Sequence, residues 1–318
     1  MKTNKTAVII MSPFQALCAL EALYEYPSGT PDFYTIEDKQ NIGKIRLLLR
    51  DFGYEINIIP QSSNILMWIV NNIKRRKYDR IIVGDFFAFP LLILTSIMAK
   101  WKAKVIYVDD GNSTLLIKAN KLPNSIHNFK WKLFLFLLKL KCVTKSFYTF
   151  FPIEKFESMP VTQHSFKHVF DVFDKSIRLS GVYVIGTNTS ALDIDTEQYK
   201  LTLRQILRYY KDTEKVYYCP HRRDVNIYIK YCNNIGIELF DTQVSVEYDF
   251  VRKKLYPRII IGFGSTALYT LRKMFPLSVI YNVNIEMNKI RDKEIYKYIA
   301  DFLETEGVNN CLENEWER

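Results

Sequence analysis

Short apolar runs alternate with helical segments along this chain, and the alternation runs twice. In the first series, residues 7–11, 33–36, 55–59, 80–83, 105–108 and 148–153 read as strands, and 14–24, 42–52, 65–74, 90–100 and 126–141 as helices. In the second, 182–186, 215–218, 237–240, 259–264 and 277–281 read as strands, and 196–210, 224–235, 244–255, 265–274 and 291–304 as helices. Strands separated by helix-length segments call for parallel pairing with crossover helices. The expected class is therefore α/β, with two Rossmann-like doubly wound domains, residues 1–155 and 179–318, facing a central cleft. Residues 156–178, mixed and weakly periodic, read as the linker. Ligands of such sheets bind outside the carboxyl ends of the strands, so the residues that follow each strand carry the functional argument.

Composition narrows the partners. The chain has 318 residues, 48% of them hydrophobic, and a net charge of +10. That excess fits an anionic partner, whether nucleic acid, a phosphorylated small molecule or an acidic membrane surface. No nucleic-acid-binding motif is present. Five scattered cysteines without a C-x-x-C pair, and only four histidines, point to reduced thiols and no metal site. The apolar run 7–11 is too short for a signal-peptide core, and nowhere do about 18 apolar residues follow one another. A cytoplasmic protein is expected. The basic, apolar segment Lys130 to Lys141 reads either as a peripheral contact with the inner face of a plasma membrane or as a buried helix with snorkelling lysines.

Several strand ends carry reactive side chains. Asp109-Asp110-Gly111-Asn112 follows 105–108. Adjacent carboxylates repel, which raises one pKa and makes a usable base; a helix cap explains one of them equally well. Pro220-His221-Arg222-Arg223 follows 215–218, and an imidazole beside guanidinium groups suits a phosphate. Gly264-Ser265-Thr266 ends a strand and opens a helix, whose N-terminus attracts anions. Gly186-Thr187-Asn188 follows the first strand of the second domain and leads to Asp193 and Asp195. Asp195 with Gln198 reads as a capping box and not as a metal-binding D-x-D. Ser12-Pro13 reads as an N-cap with proline at the first helical position, and Gln15, one turn in, can reach a sugar hydroxyl or a base edge.

The order and strand-end context of Ser12-Pro13-Phe14-Gln15, Asp109-Asp110-Gly111, His221 and Ser265-Thr266 resemble the bacterial sialyltransferases of GT-B type, particularly glycosyltransferase family 52. The resemblance spans most of the chain, through motifs of two to four residues each. One departure is plain: the family's histidine is followed by proline, whereas here proline precedes His221 and Arg222 follows it. The resemblance implies transfer of sialic acid from CMP-sialic acid, with inversion, to a hydroxyl of a galactose-terminated bacterial surface glycan such as lipopolysaccharide O-antigen or capsule, without a metal or other cofactor. Asp110 or Asp109 would take the acceptor proton, with Gly111, Asn112, Gln15 and Ser12 on the acceptor side. His221 would meet the leaving phosphate. Pro220, Arg222, Gly186, Thr187, Asn188, Gly264, Ser265 and Thr266 would bind the donor. Asp193 and Asp195 are the minority candidates for the base. A homodimer is compatible with this reading. A GT-B enzyme using another nucleotide sugar, and a non-enzymatic polyanion- or lipid-binding protein, remain as alternatives.

Overall fold

The computed structural model describes residues 5–60, 77–111, 114–115, 129–156, 159–171, 179–189, 194–221, 226–284, 293–312 and 316. The chain divides into two compact units, Met1–Val172 and Phe173–Arg318.

The first unit opens with β1 (Thr6–Ile9), α1 (Pro13–Glu25), β2 (Asp32–Ile36), α2 (Ile42–Asp51) and β3 (Ile56–Ile59). It continues with β4 (Tyr78–Val83), α3 (Phe89–Met98), β5 (Ala99–Val108), α4 (Phe129–Leu140), β6 (Thr144–Thr149), β7 (Val161–Gln163) and α5 (Lys167–Asp171). All neighbouring strands pair parallel, in the order β3-β2-β1-β4-β5-β6-β7. Every residue of β1 is buried, as are the last three of β4 and the last four of β5. Continuous burial of this kind is what a parallel sheet covered on both faces imposes. Ser12 caps α1 through its Oγ, which accepts the Gln15 N–H at 3.2 Å, and Pro13 occupies the first turn.

Three expectations shift. The helix expected at 90–100 ends at Met98, because Ala99 already starts β5. The strand expected at 148–153 lies at Thr144–Thr149: the next N–H, that of Phe150, goes to the Asp109 carboxylate instead of to a ladder. The stretch 156–178, expected as a linker, carries β7 and α5, both within the first unit. Glu21 of α1 anchors α5 by accepting the Val169 N–H at 2.8 Å. The expected helix 65–74 lies outside the described residues.

The second unit runs β8 (Leu179–Ile185), α6 (Thr196–Tyr210), β9 (Val216–Cys219), α7 (Asn226–Ile235), β10 (Glu238–Leu239) and α8 (Val246–Arg252). It ends with β11 (Tyr256–Gly262), α9 (Ala267–Met274), β12 (Val279–Asn284), α10 (Lys293–Thr305) and β13 (Asn309–Leu312). The sheet order is β10-β9-β8-β11-β12-β13, again parallel throughout. The sequence reading had no counterpart of β13. Val184, Tyr199, Leu203, Tyr218, Ile261 and Phe263 form the centre of this unit's core. In both sheets the winding reverses beside the first strand, at β1/β4 and at β8/β11. This is the switch point where doubly wound sheets take ligands.

Candidate functional site

In the first unit the carboxyl ends of β1, β4 and β5 lie side by side, and the two aspartates after β5 have different fates. Asp109 is fully buried. Its Oδ1 accepts the Thr149 hydroxyl at 2.6 Å, its Oδ2 accepts the Phe150 N–H at 2.5 Å, and His164 Nε2 stands 3.6 Å from Oδ2. The His164 ring stacks on Tyr148, with centroids 4.6 Å apart, and meets Phe166 edge-on. Asp109 therefore ties the end of β5 to the turn after β6, and a buried carboxylate needs such partners.

Asp110 is only partly buried. Its N–H donates to Thr114 Oγ1 at 3.1 Å, and its Oδ1 accepts the Gln15 side-chain amide. Gln15 is itself pinned, because its Oε1 accepts the Met11 N–H at 2.6 Å. Gln15 is 2% exposed, so it does not stand out toward an acceptor, as the sequence reading had it; it holds the base candidate. Gly84 makes the room for it. A Cβ at Gly84 would lie 2.4 Å from Gln15 Oε1. Ser12 is spent on the α1 cap, Gly111 turns the chain at φ 63°, and Asn112 lies outside the described residues.

Asp110 lines a shallow depression with Asp85, Phe86, Phe87, Val108, Thr114 and Phe147. Asp85 follows β4, the neighbour of β5, and had no functional role in the sequence reading. Burial pushes its carboxyl pKa up, opposed by N–H bonds from Phe87, at 2.7 Å, and from Ala88. The signal was available: Gly84-Asp85 follows an apolar run just as Asp109-Asp110 does.

Among the described residues, Cys18, Asp109 and His164 offer ligand atoms within 4.8 Å of one another. Burial, and after it the nearby Asp109 charge, push the Cys18 thiol well above its ordinary pKa. Both Asp109 oxygens are already committed.

In the second unit the ends of β8, β9 and β11 gather the other candidates. Gly186 donates its N–H to Cys219 O at 2.8 Å, which sets the β8 end against Pro220 and His221. His221 is half-buried; Arg222 and Asp193 lie outside the described residues. Thr187 is buried and its hydroxyl donates to Phe263 O at 3.4 Å, so the loops after β8 and β11 touch. Asn188, half-buried, lies on the same loop. Gly264 has φ 60°, donates its N–H to Asn282 Oδ1 at 2.8 Å, and would drive a Cβ to 2.4 Å from the Tyr296 ring. Only glycine holds this turn without strain. Ser265 Oγ accepts the Ala267 N–H at 3.3 Å. Thr266 stands at the N-cap of α9 and makes no side-chain cap bond. The start of α9 thus presents a hydroxyl and the positive end of a helix dipole. Asp195 accepts the Glu197 and Gln198 N–H groups at 3.0 and 2.8 Å, so its carboxylate caps α6, as the cap reading expected.

No protein-family model matches the chain, and no curated protein does. Solved structures do. A 2,6-sialyltransferase from Photobacterium sp. JT-ISH-224, solved with CMP and lactose, is 12% identical with a TM-score of 0.57, over 97% of this chain and 78% of that one. An α/β-galactoside α-2,3-sialyltransferase from Photobacterium phosphoreum is 11% identical with a TM-score of 0.57, over 99% and 100%. A Listeria monocytogenes protein described as a UDP-N-acetylglucosamine 2-epimerase is 12% identical with a TM-score of 0.53, over 96% and 88%. At such identities the likeness concerns the fold, and a fold hosts many functions. The chain has the α/β, GT-B-like fold that bacterial sialyltransferases also adopt.

Proposed function

We propose that this chain is a glycosyltransferase, and specifically an inverting sialyltransferase that moves sialic acid from CMP-sialic acid to a glycan hydroxyl without a metal. One observation carries the reading: of two adjacent carboxylates, one is consumed by buried partners while Asp110 is held by Gln15 at an accessible strand end. Asp110 would accept the proton of the acceptor hydroxyl as that oxygen bonds to the anomeric carbon. The bond from that carbon to the phosphate oxygen breaks, and its electron pair leaves with CMP. His221 would donate a hydrogen bond or a proton to the departing phosphate. The N–H groups and hydroxyls of Gly264, Ser265 and Thr266 would hold the phosphate or the donor carboxylate. Pro220, Arg222, Gly186, Thr187 and Asn188 would complete the donor side. Fold similarity to sialyltransferases, one of them solved with CMP and lactose, supports the choice of donor. The resemblance to family 52 supports a galactose-terminated surface glycan as acceptor.

The test is a donor screen followed by turnover. CMP should raise the melting temperature more than UDP or GDP, and CMP-sialic acid should release CMP faster when lactose is present. Turnover of a UDP-hexose with no CMP release would replace the sialyl reading by the other nucleotide-sugar reading.

A further inference from the structure

We propose that α4 and the adjoining bulge of β5 dock the first unit on an anionic lipid surface. The sequence left open whether this segment is buried; the structure exposes one face of it. Leu133, Phe136, Leu137 and Leu140 are 42%, 54%, 37% and 51% exposed. Their spacing is i, i+3, i+4, i+7, a single stripe along a helix, turned toward solvent. The opposite side holds the helix to the protein: Leu138 is fully buried, and Phe134 packs edge-on against Phe89 of α3.

Beside the end of this stripe, Trp101 is 64% exposed. The register of β4 with β5 jumps between Tyr78↔Ala99 and Arg80↔Lys104, so residues 100–103 bulge from the sheet. Lys102, at φ 59°, completes the bulge and donates its N–H to Lys141 O at 2.8 Å, directly after α4. A non-glycine residue in the left-handed region is held there at some cost. What the bulge presents is a tryptophan, the side chain that favours the boundary between lipid and water.

Charge selects the occupant. The helix contains no acidic residue. Lys132 and Lys139, both exposed, flank the stripe, and Lys102 and Lys104 are exposed beside Trp101. An apolar strip edged by lysines matches an in-plane helix on anionic headgroups. A second copy of the same face would set like charges against each other. No described helix is long and apolar enough to cross a membrane, so the contact is peripheral.

The test is co-sedimentation of the full chain with vesicles of phosphatidylcholine alone and with about one third phosphatidylglycerol. Binding should be about tenfold or more tighter to the anionic vesicles and should weaken with salt. The double variant Phe136→Asp/Leu140→Asp should lose it, and Lys132→Glu/Lys139→Glu should lose the preference for anionic lipid. All four positions are exposed, so folding is expected to survive; circular dichroism checks it. Brominated lipid should quench Trp fluorescence, and less so in Trp101→Phe. Equal binding to both vesicles, or variants that bind like the parent, would overturn the proposal. So would a dimer in ultracentrifugation that Phe136→Asp/Leu140→Asp dissolves. No substrate enters these measurements, so their failure is distinct from failure of the sialyltransferase reading.

Discussion

The two units wind their sheets alike, yet their strand ends carry opposite chemistry. In the first, the ends of β4 and β5 supply Asp85, Asp109 and Asp110. In the second, the ends of β8, β9 and β11 supply Thr187, His221, Ser265 and Thr266. One end favours taking a proton; the other favours meeting an anion through N–H groups, hydroxyls and an imidazole. The backbone is indifferent to this difference. It brings strand ends to a switch point in both cases, and the residues placed there decide what each can do.

The comparison breaks most directly at Asp110. Asp110→Asn should lower kcat by about a thousandfold, as expected on removing a general base, and should remove the acidic limb of the pH–rate profile while leaving donor affinity within about twofold. If this variant keeps full activity, Asp110 is not the base. On the second unit, His221→Ala should lower kcat by about a hundredfold and weaken CMP binding in a thermal shift assay, an effect Asp110→Asn should not have.

Within the first unit, Asp109 should behave as the opposite of its neighbour. Asp109→Ala leaves the Thr149 hydroxyl proton and the Phe150 N–H without their acceptor in the interior. It should cost about 3 kcal/mol in urea unfolding, at about 1–3 kcal/mol for each buried group left without a partner. Equal stability of Asp109→Ala and Asp110→Ala would erase the distinction. Gly84→Ala should reduce kcat by about tenfold with little change in KM, because the new methyl displaces Gln15 from Asp110.

The smallest effect is expected at Asp85. Burial raises its pKa in the folded state, so between the unfolded and folded values the folded form holds a proton that the unfolded form has released. The stability this confers is present below the unfolded carboxylate pKa. It is lost as pH rises through the folded value. Asp85→Asn keeps the carbonyl that accepts the Phe87 N–H and removes the charge. It should raise Tm at neutral pH. The gain should shrink toward pH 4. A gain independent of pH would mean that the carboxylate is not what burial penalises.

Much of this was legible in the sequence. The alternation of runs located most strands, and Ser12 and Asp195 proved to be the helix caps their positions indicated. The same logic placed Asp109-Asp110, His221 and Ser265-Thr266 at strand ends. What stayed illegible depends on contacts between distant segments. Gln15 reaches Asp110 across 95 positions. Asp85 joins the same depression because β4 pairs with β5. The strand at 309–312 and the strand and short helix within 156–178 carry too little periodicity to stand out; pairing to an existing edge creates the strands, and Glu21 anchors the helix.

By itself, then, the sequence determined the two doubly wound sheets and which side chains stand at their ends, because periodicity and capping are local properties. Only the tertiary structure decided which of the two adjacent carboxylates, Asp109 and Asp110, is covered. Thr149, Phe150 and His164 close over Asp109, whereas Gln15, with room lent by Gly84, holds Asp110 in the open. Burial and hydrogen-bond satisfaction are set by residues far along the chain, and it is these that separate the buried carboxylate from the partly exposed one.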